Sequence, residues 1–304
     1  MTQLLNALPG ALAQGLIWGV MAIGVYITYK VLDIADLTVD GSICTGAAVC
    51  TMLLLGGQSP WLALLCAVLA GVLAGAVTGL LHVGLGIPPI LAGILTQMVL
   101  WSVNLKLLGK ANQALPARTT PVLLSQMDVG GALPVLLGFC VVLVALLVLF
   151  FGTELGCALR ATGCNPVMSR AQGVNTGLMK VIGLALSNGV VALSGALLCQ
   201  YQGYTDVNMG RGAVVIGLAA VVIGQAVLGR RGGRMAVQLG GVILGAVIYY
   251  IVYQVIIFAG FDTNLVKMFS AVVVAVFLGA PHVKAQLKAH SRSKKGDSGH
   301  AENE

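Results

Sequence analysis

Charge is scarce in this chain. Lysine and arginine number 17 and aspartate and glutamate 10 among 304 residues, so 9% of positions are charged, against about a quarter in soluble globular domains. A water-facing surface cannot be assembled from so few charges, which excludes a soluble fold. The motifs of self-contained chemistry are also missing. No G-x-x-x-x-G-K-[ST] phosphate loop occurs, because the single Gly-Lys pair, Gly109-Lys110, lacks the earlier glycine. Neither G-x-S-x-G nor H-E-x-x-H is present. The seven cysteines are an odd set without C-x-x-C spacing, and the four histidines show no ligand spacing. No catalytic residue, metal site or resident cofactor is therefore expected in this chain. The net charge of +7 comes from basic loops between apolar runs and not from a basic domain, so no nucleic-acid partner is expected.

What is present is apolar length. The sequence is 58% hydrophobic with 41 glycines, and its mean hydropathy is +0.96. A membrane-crossing helix needs about 20 mainly apolar residues. On that measure about nine candidate spans appear, at 8–30, 38–56, 60–82, 87–108, 132–151, 178–200, 212–229, 236–259 and 264–281. The second and seventh carry polar, glycine-containing approaches and read as spans or as broken, re-entrant helices. The fold class is an all-α polytopic membrane protein, with one membrane domain over 1–281 and a polar, basic, disordered tail over 282–304. The tail's basic residues are expected to meet membrane lipid. Lys30, the first basic residue, follows the first apolar run, so that run reads as a retained helix and not as a signal peptide.

Lysine and arginine set the orientation. Placing the N-terminus outside puts Lys30, Arg160, Arg170, Lys180, the "GRRGGR" cluster and the tail inside. The C-terminus is then cytoplasmic. Small residues recur at fourfold spacing, at Ala11, Gly15 and Gly19, at Gly71, Gly75 and Gly79, and at Gly241 and Gly245. Such stripes predict close helix packing and nothing about function.

The segment 152–177 departs from this apolar pattern. Within it, Asn165 is a good N-cap, Pro166 suits the first helical position, and Gly173 suits a left-handed stop. The two turns between them are too short to be stable alone, so this helix needs a packing partner. The residues alone leave open whether it is an interfacial loop or a docking element.

"TELGCALRATGCNPVMSRAQGVN" resembles the cytoplasmic loop of ABC-importer permeases for branched-chain amino acids, simple sugars and nucleosides. The matching positions are Gly156, Arg160, Ala161, Gly163, Asn165, Gly173 and Asn175. "DLTVDGS", from Asp36 to Ser42, is similar to that family's first block, with Asp40 inserted. "GAVVIGLAAVVIGQAVLG" is similar to a late block, with Gln225 where a second glycine is usual. The resemblance implies a type II importer-like bundle in a bacterial inner membrane that moves a small solute inward. It implies as partners an ATP-binding subunit holding the ATP and Mg, an extracytoplasmic solute-binding protein, and a second permease subunit, most simply an identical one. The short helix would be the coupling helix, with Asn165, Pro166, Met168, Ser169, Arg170, Gln172 and Gly173 at the ATPase. The "DLTVDGS" form is similar to a sub-group associated with aromatic amino acids.

Polar residues inside the spans include Gln97, Asn104 and Asn188, with Trp18 and Trp101 as large aromatics. Trp18, Asp36, Gln97, Trp101 and Asn188 are the candidates for a translocation path or gate, and interhelical packing is the competing reading. Tyr204, Asp206 and Arg211 are candidates for contact with a binding protein. No acidic residue lies deep in a confident span, which weighs against a proton-coupled carrier. A self-sufficient channel for small neutral solutes stays open as a rival.

Overall fold

Five helices begin on a side chain that accepts the free amides of the first turn. Ser59, Asp128, Thr153, Asn165 and Asn175 accept from Leu62, Gly131, Gly156, Met168 and Leu178 respectively. The computed structural model describes residues 2–116, 120–228, 234–258 and the single residue 275. In chain order the elements are α1 (Thr2–Tyr26), a π-helical turn (Ile27–Val31), α2 (Thr38–Leu55), α3 (Pro60–Gly84) and α4 (Pro89–Leu108). There follow β1 (Asn112–Ala114), α5 (Val129–Gly152), α6 (Glu154–Cys164) and α7 (Pro166–Ala171). The described chain closes with α8 (Thr176–Gln202), β2 (Tyr204–Asp206), α9 (Ala213–Leu228) and α10 (Met235–Phe258).

Among the described residues seven helices are long and apolar enough to cross a membrane, and α9 is a shorter apolar helix. The expected spans at 8–30 through 236–259 all have a helix. The ninth, 264–281, and the tail 282–304 lie outside the described residues.

Glycine decides how closely these helices pack. Gly71, Gly75 and Gly79 press α3 onto the backbone of α8 at Asn188, Leu184 and Val181. Gly46 of α2 meets the Ala192 carbonyl, and Gly195 of α8 meets that of Ile43. Gly15 and Gly19 set α1 against Val247 and Ile243 of α10, while Gly245 meets Ala220 of α9. Each glycine stripe read from the sequence is therefore a helix seam. Serines cross-link a further seam, between α8 and α1, with Ser187 Oγ donating to the Gly24 carbonyl at 2.8 Å and Ser194 Oγ to that of Ile17 at 2.7 Å. Such bonds contribute about 0.6 kcal/mol each in lipid. The outward faces of α3 and α5 stay apolar and exposed, at Leu65, Leu69, Leu73, Val141 and Leu149, as lipid contact requires.

Two helices start inside the bundle. After the π turn, Asp33 takes φ 56° and the helical run ends. Residues 32–37 then fold back, and Asp36 reaches Asn188, about 18 Å along α8 from Thr176 and about 21 Å from Gln202. From that midpoint α2 runs to the end of the bundle that carries β1 and β2. The chain returns the same way. Thr205 Oγ1 lies 2.6 Å from Thr51 Oγ1 near the far end of α2, yet Gly210 packs on the Asp40 backbone. Helix α9 starts there and runs to the opposite end, where α6 and α7 lie. The segments at 38–56 and 212–229 are thus broken helices whose N-termini meet mid-bundle.

Gly46→Val is expected to lower the thermal unfolding midpoint in detergent by the equivalent of at least about 2 kcal/mol, because the added atoms meet backbone. Gly138→Val, in open space on α5, should change it by less than about 0.5 kcal/mol.

Candidate functional site

At the α7 end, the short helices α6 and α7 make a platform. Residues 154–164 form a helix of their own, α6. Its glycines explain the spacing of the motif. Gly156 lets α6 fold against the carbonyl end of α5 at Phe150 and Phe151, and Gly163 lets it touch the Val31 backbone. Asn165 Oδ1 then accepts from the amides of Val167 (3.1 Å) and Met168 (3.0 Å). Pro166 stands at the first helical position. Gly173, at φ 82°, ends α7 in a six-to-one turn, its own amide bonding the Arg170 carbonyl and that of Val174 the Ser169 carbonyl.

The expected docking residues divide by exposure. Val167 and Met168 are 77% and 63% exposed, an apolar tip at the polar end of the bundle. Val167 was missed in the sequence, although its place beside Met168 marks it. Gln172 and Arg170 are exposed, but Arg170 Nε donates to Thr176 Oγ1 at 2.7 Å, which ties its stem to α8 and leaves its terminal nitrogens without a partner among the described residues. Ser169 is a correction: it is buried, and its hydroxyl bonds the Asn165 carbonyl, so it shapes the helix and offers no surface.

The path candidates also divide. Trp18 is 8% exposed and stacks on Tyr250 at 5.8 Å between ring centres, so it is core and lines no path. Asp36 and Asn188, 152 positions apart, are joined. Asn188 Nδ2 donates to Asp36 Oδ2 (2.7 Å) and to the Leu184 carbonyl (2.9 Å), and its Oδ1 accepts from Ser42 Oγ (2.6 Å). Asp36 Oδ1 accepts the Thr38 amide at 2.8 Å, capping α2. Asp40 does the same for α9, its two carboxylate oxygens accepting the amides of Gly212 (2.9 Å) and Val214 (3.0 Å). Asp36 stands just ahead of α2 and Asp40 in its first turn, so this acidic pair belongs to the broken second segment and not to one of the confident spans. Each carboxylate sits at a helix N-terminus, where amides and the helix dipole favour negative charge.

Gln97 and Trp101 do face a cavity. It measures 540 Å³ and is lined by Asp40, Gly41, Cys44, Ile94, Gln97, Met98, Trp101, Ser102, Asn104, Val207 and Arg211, a size typical of small-molecule sites. Arg211, an exposed residue in the turn before α9, also lines this wall. Tyr204 and Asp206 do lie at the bundle end, on β2, which pairs antiparallel with β1. Asp206 Oδ1 is engaged by the Asn208 amide at 2.6 Å.

A bundle of broken helices around a mid-level cavity with a few polar groups in an apolar wall, and a capped helix at one end, is the build of a solute permease. The chain matches the family described as branched-chain amino acid transport system, permease component, over residues 8–280. It belongs to that family, the permeases of ABC importers. It is 36% identical to the tyrosine transport system permease protein of Clostridioides difficile (strain R20291), over 93% of this chain and 94% of that one. It is 33% identical to an uncharacterized protein of Rickettsia prowazekii (strain Madrid E), over 91% and 98% of the two chains. With the autoinducer 2 import system permease protein of Escherichia coli (strain K12 / DH10B) it shares 29% identity, over 67% of this chain and 60% of that one. No solved structure matches it.

Asn165→Ala removes the acceptor of two α7 amides and should cost the helix about 1 kcal/mol. Hydrogen exchange of residues 167–171 is expected to quicken roughly fivefold, with no change in the unfolding midpoint of the bundle.

Proposed function

We propose that this permease carries an amino acid inward, with an aromatic one as the leading case, across a bacterial cytoplasmic membrane. The tyrosine transport relative and the family's description support an amino acid over a sugar or a nucleoside. The α7 end faces the cytoplasm, because Lys30, Arg160, Arg170, Lys180 and Arg234 gather there. The N-terminus is then outside, and the basic tail 282–304 follows the last span on the cytoplasmic side.

The chain has no phosphate loop of its own, so ATP and Mg belong to a separate ATP-binding subunit. The observation that carries this reading is the exposed Val167–Met168 tip on a helix capped at both ends and tied through Arg170 to the base of α8. A tip of that kind, bare at the water-facing end of the protein, suits an apolar groove on the motor subunit. Met168 is its adaptable knob. Movement of α7 passes to α8, and α8 carries Asn188 and with it the starts of α2 and, through Asp40, α9. Rigid shifts of packed helices are a recognised means of switching access. Two permease chains, most simply identical, complete the pathway, and a solute-binding protein delivers cargo near Tyr204 and Asp206 at the outer end.

Met168→Glu should weaken capture of the ATP-binding subunit roughly thirtyfold or more, while the exposed site leaves the permease's own unfolding midpoint unchanged. Undiminished co-purification and ATP-driven uptake by that variant contradict the docking role. A native assembly that reproducibly lacks an ATP-hydrolysing subunit contradicts the whole reading.

A further inference from the structure

The cavity between α2, α4 and residues 207–212 holds more polar equipment than packing uses. Asn104 lines it, fully buried, and neither its amide nitrogen nor its oxygen meets a partner. An orphaned buried polar group costs about 1–3 kcal/mol, and such a residue persists where a ligand or water answers it. Arg211 also lines the cavity, and its guanidinium forms no ion pair or hydrogen bond among the described residues. Arg211 is exposed at the mouth of the cavity, where its fork of donors is available to a carboxylate. Asp40 brings the opposite charge to the same volume. Each of its oxygens accepts one amide, which leaves acceptor capacity on both.

We infer that this cavity binds one zwitterionic α-amino acid with a flat, apolar-faced side chain. Arg211 takes the carboxylate in a forked pair of hydrogen bonds, and Asp40 takes the ammonium. Trp101 and Met98 pack the side chain, with the methionine sulfur at a ring edge. Asn104 supplies the donor and acceptor that a terminal hydroxyl completes. A sugar or nucleoside leaves Arg211 and Asp40 unneutralised, while a zwitterion answers both and adds no net charge. The inference rests on the amino-acid reading above and deepens it by giving the permease a solute site of its own.

The test uses the full chain with its ATP-binding subunit in lipid nanodiscs, without nucleotide or binding protein, and radiolabelled L-tyrosine as the probe. Saturable binding is expected. Tyramine, which lacks the carboxylate, and 3-(4-hydroxyphenyl)propionate, which lacks the ammonium, should compete at least about tenfold less well. Arg211→Gln alters an exposed residue without side-chain partners, so folding is preserved. It should weaken L-tyrosine at least about tenfold and leave tyramine unchanged. Equal loss for both, or none for either, overturns the assignment of the carboxylate. Equal competition by L-leucine overturns the flat side chain. Uptake of L-tyrosine by the whole assembly in vesicles separates the two levels. Uptake without nanodisc binding overturns the cavity site and keeps the amino-acid reading, and failure to take up any amino acid overturns both.

Discussion

The structure depends on answering the backbone of two helices that begin in the middle of the bundle. In lipid an unpaired amide costs several kcal/mol, so irregular backbone at that depth survives only inside protein. Asp36 and Asp40 supply the answer. One carboxylate holds the first amide of α2 and the Asn188 side chain, and the other holds the amides that open α9. Residues 32–37 and 207–212 are therefore tolerated at mid-depth, and the cavity forms where the start of α2 and residues 207–212 face α4.

From that centre the mechanics run outward along α8. It carries Asn188 at its midpoint, seats α2 and α3 through glycine seams, and begins at Asn175 beside α7. A push on α7 thus reaches the two broken helices through packed backbone and not through flexible side chains. The hydroxyls of Thr38, Thr78 and Thr96, linked at 2.8 and 2.9 Å, bring α3 and α4 into the same unit. A packed unit of this kind shifts between discrete arrangements more readily than it bends.

Local chemistry made the α7 element legible in advance. Asn165, Pro166 and Gly173 each act on neighbours within a few residues, so caps and stop were readable, as were the glycine seams at fourfold spacing. The second and seventh spans were recognisable as doubtful for the same reason, since their approaches are polar. The deep carboxylates were not legible. "DIADLTVDGS" has the composition of an interfacial turn, and the partner that buries Asp36 is 152 positions away. Arg211's place beside Asp40 and Trp101 on the cavity wall was hidden likewise, because it depends on how residues 207–212 meet α2 and α4. Trp18 was misassigned because nothing local distinguishes an indole that stacks on Tyr250 from one that faces a path. Asn104 stood out as a polar residue in a span, but its lack of partners is a tertiary fact.

The most direct test is a double-mutant cycle on unfolding in lipid nanodiscs, with Asp36→Ala, Asn188→Ala and the pair together. If the two side chains sustain the broken helix, their coupling free energy is at least about 1.5 kcal/mol. Additive effects, with coupling below about 0.5 kcal/mol, would mean that the bundle holds its interrupted helices by other means.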